Sequence, residues 1–496
     1  MRWTMRFSRF CAAAAPERSQ AALPGSHRVS SVLKRFARSQ ARGSPQLSTH
    51  TFASTKPDSL VRIHSVPHPV RPLREHAEAV RSYAAAAGAA TQQHDKTAAG
   101  AATQQRDAPS AGYLAEVEAL RGVAIALVFL YHCDAVVRPG AHGAGALFAF
   151  VRSGHTGVSL FFMLSGFLLS QPFLVEAAGG RRVRRREYFA RRALRIVPLY
   201  YLAILVSLWW LQPLAKWAEV SWPFWGFLNG LAPAYSLWPF SIGWWSLATE
   251  VQFYVLLPLL PVVARGLPSA IAVGGYLALY ALFLLQLLQA PTVDANLFLL
   301  DSVFGRGWLF LSGIVGGHVW WFHGKQLRDR LARVRPLALG GSDALLLAIL
   351  AVLSALLQWV AWIGPVAAQN RPNHVWHVAE GALWAGVLLV LLLFPLRGKA
   401  LLVNPLMRSA GLVSYSLFLI HVPVVTIVLH QLQEARPGQY RTWDASSLLV
   451  CGGLFAVCIA LSALSYRFVE RPFLRLKARL PRTSSQPGDA PDRSML

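Results

Sequence analysis

LRGVAIALVFLYH, residues 120–132, places one arginine and one histidine in a run that is otherwise apolar apart from a tyrosine hydroxyl. Arg121 and His132 stand eleven residues apart, and eleven steps of about 100° pass three full helical turns by only about 20°. Both side chains therefore share one helix face. The rise between them is roughly 16 Å, about half of a hydrocarbon core of about 30 Å. An arginine at one membrane boundary thus puts the histidine near mid-membrane, where an ionisable group is costly and usually faces a functional interior. Taken singly, each residue has a plainer reading: a snorkelling anchor for Arg121 and a packing residue for His132.

Outward from this stretch, apolar runs of similar length recur to residue 468. Hydrophobic residues make up 54% of the chain and charged ones 14%, more apolar surface than a single soluble core would bury. Ten spans are expected, near 117–136, 155–176, 194–212, 245–264, 268–289, 298–320, 342–364, 376–396, 410–431 and 446–467. Backbone polar groups have no water to bond in lipid, so these runs should be helices. The two-residue alternation of a β-barrel is missing. The fold class is therefore all-α, a polytopic bundle of about ten transmembrane helices.

The formal net charge of +25 suggests nucleic-acid binding at first sight, but basic residues collect in alternate loops of the ten-span arrangement. Arg181 to Arg195 holds eight arginines and Lys325 to Arg335 five Lys/Arg. That asymmetry marks the cytoplasmic side, with both termini inside. No nucleic-acid partner is implied. Cys11, Cys133, Cys451 and Cys458 lack metal-ligand spacing, and three of them lie in or beside spans as small hydrophobes. Neither a disulfide framework nor a metal site is expected.

Residues 1–110 differ from the rest. They are Ala-, Ser-, Gln-, Arg- and Pro-rich, carry 16 Lys/Arg against 6 Asp/Glu, and repeat AAGAATQQ at 86–93 and 98–105. The composition reads as a disordered extension. Its Arg-rich beginning also resembles an organellar transit peptide, and a start placed too far upstream would look the same. The membrane domain is expected over 113–475, and 476–496 as a short basic polar tail.

Further ionisable residues lie at membrane depth. Glu250 falls about five residues inside Trp244 and Trp245, and His421 is about eleven residues into the ninth span. Arg192 and Arg195, at i,i+3 spacing on one face of the third span, offer several directional donors suited to phosphate oxygens. Most of the arginine run before them reads as a topological signal and a lipid-headgroup contact.

These pieces together resemble the acyltransferase-3 family of membrane O-acyltransferases, of the bacterial surface-glycan O-acetylase type. The matching segments are LRGVAIALVFLYH at 120–132, GHTGVSLFFMLSGFLL at 154–169, RALRIVPLYY at 192–201, WWSLATEVQFY at 244–254, RGWLFLSG at 306–313, GLVSYSLFLIH at 411–421 and YRFVERPF at 466–473. The resemblance implies an acyltransferase that takes acyl groups, acetyl above all, from cytoplasmic acyl-CoA and passes them to a hydroxyl of a glycan or related surface acceptor. It implies no permanently bound cofactor.

On this reading Arg192 and Arg195, helped by Arg121, hold the coenzyme A phosphates, and His132 is the general base. Glu250 would orient His132, and Arg306 would stabilise the oxyanion. Ser414, Tyr415 and His421 are lower-ranked substrate or oxyanion contacts, and an acyl-histidine route stays open beside direct transfer. The rival class is a proton-coupled transporter or flippase, since mid-membrane His and Glu also build proton relays. Against it, paired broken helices are not evident.

Overall fold

Chains of Leu, Ala, Val, Ile and Phe satisfy their own backbone when they cross hydrocarbon as helices, and no strand occurs among the described residues. A computed structural model describes residues 114–137, 151–229, 237–266, 301–363 and 376–479, all within one unit, Ser110–Leu496. Its principal helices are α1 (Ala115–Val137), α2 (Thr156–Ala177), α3 (Arg185–Leu211) and α4 (Trp217–Trp225). They continue as α5 (Trp244–Leu256), α6 (Val303–His318), α7 (Ser342–Ile363) and α8 (Trp376–Leu393). The last four are α9 (Pro405–Leu412), α10 (Ser414–Ala435), α11 (Ala445–Ser465) and α12 (Arg471–Arg479).

Eight helical stretches among the described residues are long and apolar enough to cross a membrane. The all-α polytopic architecture stands, and the boundaries of several expected spans change. The span near 268–289 and residues 1–110 lie outside the described residues. The span near 298–320 contains α6, which carries Arg306 and His318 inside it, and is not among those eight. His318, His323 and Lys325 end its apolar part, although helical backbone runs on to Leu331.

Two helices run past the expected span bounds, into the basic loop and into the tail. Arg185 to Arg195 forms the first turns of α3, because arginine is a good helix former and these side chains are long enough to extend from the apolar body. Within the expected tail, residues 476–479 complete α12, which packs against α3.

Close crossings hold the bundle together. A Cβ on Gly166 of α2 would lie 2.2 Å from the Phe310 carbonyl oxygen of α6, and one on Gly313 of α6 would lie 2.0 Å from that of Met163. Only glycine lets the two backbones approach so closely. Gly122 of α1 and Gly411 of α9 face each other in the same way, at 2.0 Å from Met407 O and 1.9 Å from Glu118 O. These contacts seat α1, α2 and α6 at the centre and fix where Arg121, Ser165 and Arg306 project. Cys133, Cys451 and Cys458 are buried and free.

Candidate active site

Two cavities line up along α1. The first is lined by Arg121, Arg192, Arg195, Ser165, Ser246, Glu250, Tyr254, Ser414 and Tyr415. The second contains Tyr131, His132, His155, Trp245, Asp301, Arg306 and Trp376. Val158, Phe162 and Phe418 belong to both linings, so one aromatic wall separates them. The eleven-residue register of Arg121 and His132 thus places them in successive cavities.

At the arginine cavity, Nη2 of Arg121 donates to Ser414 Oγ at 2.9 Å. Nη1 of Arg195 meets the Glu470 carboxylate at 2.8 Å, and Ser416 donates to the other oxygen of that carboxylate. Arg192 lies over the Tyr254 ring, 5.9 Å from its centroid, and its buried Nε has no hydrogen-bond partner. Lys477 on α12 lies within the electrostatic field of Arg121, Arg191, Arg192 and Arg195. Cations therefore outnumber the carboxylates Glu118, Glu250 and Glu470 that surround them. Several directional donors around a cavity with surplus positive charge suit a phosphorylated ligand.

Glu250 belongs to this end of the bundle. Ser165 Oγ donates to its carboxylate at 2.7 Å and Tyr254 Oη at 2.6 Å. The structure does not bring Glu250 to His132, and the orienting contact expected from the sequence is absent. The reason is rotational: at the start of α5 it is Trp245, not Glu250, that turns into the second cavity. The Tyr415 hydroxyl is committed to the Ile196 carbonyl at 2.7 Å, and Ser246 to Gly243 O at 2.9 Å.

The second cavity has a different chemistry. Nδ1 of His132 contacts Val128 O at 2.9 Å and Nε2 of His421 at 3.3 Å. Arg306 reaches Asp301 at 3.0 Å, lies over the Trp245 ring at 5.1 Å, and donates to Nε2 of His377. Its Nε is buried without a partner. Because a guanidinium only donates, His377 must accept at Nε2 and carry its proton on Nδ1, which meets Glu380 at 2.8 Å. Thr156 donates to the other Glu380 oxygen at 2.5 Å and receives Trp384 Nε1 at 2.8 Å. Each of these buried ions has a partner, as burial in lipid requires.

Sequence reasoning missed His155, His377, Glu380, Glu470 and Lys477. Glu380 and His377 carried a usable signal, an ionisable pair at i,i+3 inside an apolar span. Glu470 stood within YRFVERPF, and only its contact with Arg195 shows its part in the cavity.

Residues 114–465 match the family model described as an acyltransferase domain, Acyl_transf_3. The chain belongs to the acyltransferase-3 family. Its membrane part is an acyltransferase domain. Among similar proteins is one named peptidoglycan O-acetyltransferase OatA from Listeria monocytogenes, 23% identical over 73% of this chain and 56% of that protein. Another is named putative membrane-bound transacylase BcsY, from Komagataeibacter xylinus, 25% identical over 76% of the chain and 86% of the relative. A third is named putative peptidoglycan O-acetyltransferase YrhL, from Bacillus subtilis, 24% identical over 73% and 55%. The chain thus spans little more than half the length of the two relatives named for peptidoglycan. No solved structure matches it.

Proposed function

We propose that this acyltransferase-3 chain moves an acetyl group from acetyl-CoA, bound at the arginine cavity, to a hydroxyl of a glycan entering the His132 cavity. One observation carries the reading: a cavity rich in cations and a cavity with a partly exposed histidine lie back to back, sharing Val158, Phe162 and Phe418 among the described residues. Arg121, Arg192 and Arg195 bind the phosphates, with Lys477 beside them. The pantetheine arm passes the aromatic wall and brings the thioester to His132.

His132 takes the acceptor hydroxyl proton as oxygen attacks the thioester carbon. The carbon–oxygen bond forms, the carbon–sulfur bond breaks, and the proton passes to the departing thiolate. Arg306, with a free Nε, faces the oxyanion. Glu250 keeps Tyr254 and Ser165 in place around the donor. The aromatic faces of Trp245 and Trp376 suit a sugar ring, and two relatives are named for O-acetylation of peptidoglycan. The arginine end faces the cytoplasm of a bacterial inner membrane, in keeping with its basic residues.

The test uses purified full chain in lipid nanodiscs with radiolabelled acetyl-CoA and a peptidoglycan oligosaccharide. Arg192→Ala should raise the donor KM and recover most of its rate at high donor concentration. His132→Gln should leave donor binding intact and lower turnover by roughly 10² to 10⁴. A folded His132→Gln protein that acetylates at the wild-type rate would refute the mechanism, and transport of label without ester formation would refute the enzyme class.

A further inference from the structure

His421 is 0% exposed and sits behind His132 without lining either cavity. Its Nδ1 is 2.9 Å from the Leu417 carbonyl oxygen, one turn earlier on α10. A carbonyl oxygen only accepts, so this nitrogen carries the proton and Nε2 of neutral His421 presents a lone pair. That lone pair is 3.3 Å from Nδ1 of His132. The same Nδ1 is 2.9 Å from Val128 O, which again can only accept. Nδ1 of His132 is therefore the protonated nitrogen, shared between two acceptors, and its Nε2 is left unprotonated.

Other titratable or charged groups stand nearby without competing for that proton. Tyr131 meets His132 edge to ring, with centroids 5.2 Å apart. Cys133 and Asp134 follow it on α1, with Cys451 of α11 against Cys133. His155, Asp301 and Arg306 face the same cavity. The hydrogen-bond partners of His132 among the described residues are Val128 and His421.

We propose that His421 is a positioning residue for His132: it locks the tautomer that leaves Nε2 basic and stabilises the imidazolium formed when that nitrogen takes a proton. It performs this through a neutral lone pair, so no carboxylate need be buried beside the imidazole. The inference rests on the reading of His132 as general base and adds a residue remote in sequence that tunes it.

Two readouts test it, one independent of turnover. Diethyl pyrocarbonate adds to unprotonated imidazole nitrogen, and mass spectrometry of the full chain in nanodiscs gives the pH midpoint for His132 modification. His421→Phe removes the acceptor, and the midpoint should move to lower pH by about one unit, the worth of one hydrogen bond to a charged group. In the acetyl-CoA assay its kcat should fall about tenfold, with donor KM unchanged. His421→Gln still presents an oxygen acceptor and should return both values most of the way to wild type. This second variant also guards against His421→Phe failing to fold, which thermal unfolding reports. Equal midpoints in wild type and both variants would overturn the proposal, as would a shifted midpoint with unchanged kcat. The behaviour of His132→Gln judges the base assignment separately.

Discussion

Replacing Gly166 by alanine tests whether the α2–α6 crossing positions the site. The new Cβ would stand 2.2 Å from Phe310 O, 2.9 Å from Phe310 C and 3.0 Å from Phe310 Cα, while ordinary contact begins at 3.4 Å. The backbones must separate by about 1.2 Å, since no flexible side-chain end is available to move. Overpacking of this kind costs about 1–3 kcal/mol. Arg306 lies on the moving helix, one turn before Phe310, so its reach to Asp301 and His377 should loosen as well. Gly453 of α11 supplies the control, because a Cβ there meets nothing within 4 Å and alanine favours a helix by about 0.5–1 kcal/mol. Thermal unfolding by fluorescence-detected size exclusion should show Gly166→Ala lowered by several degrees, Gly453→Ala equal to wild type or higher, and acetyl transfer reduced in the first alone. Adding Gly313→Ala should cost less than the sum of the single changes, since both open one crossing. A Gly166→Ala protein with wild-type melting would refute this account of the packing.

The other expectations concern the chain's ends and its outer cap. A protein beginning near Tyr113 should insert and keep its specific activity at matched abundance, because every site residue lies downstream; loss of that activity would assign residues 1–110 a working role. Single-cysteine labelling with an impermeant reagent, in a background lacking the native cysteines, should leave Arg184→Cys protected in intact cells and reach Glu434→Cys. The reverse pattern would invert the orientation. Asp444 caps α11 by accepting from the Ser447 amide at 2.8 Å, and that bond holds its carboxyl below the usual carboxylate range. Its contribution is therefore full above about pH 3.9 and is lost as pH falls through the lower folded value. Asp444→Asn, which still caps, should lose less stability than wild type between pH 5 and 2 in thermal melts.

Local geometry made much of this protein legible. The apolar runs, the register of Arg121 with His132, and the i,i+3 pair Arg192 and Arg195 follow from helix pitch and from the cost of bare backbone in lipid. Membrane depth marked His421 in the same way, while Arg306 stood out through the family resemblance. Tertiary structure decided the partners. Arg195 meets Glu470 across 275 residues, and His132 meets His421 across 289. Glu250, expected beside His132, instead serves the arginine cavity. The physical reason is that lipid tails and a helix core are equally apolar, so a membrane helix need not show which face turns inward. Helix rotation and the pairing of buried ions are then set by glycine crossings such as Gly166 with Phe310, which exist only once the helices meet.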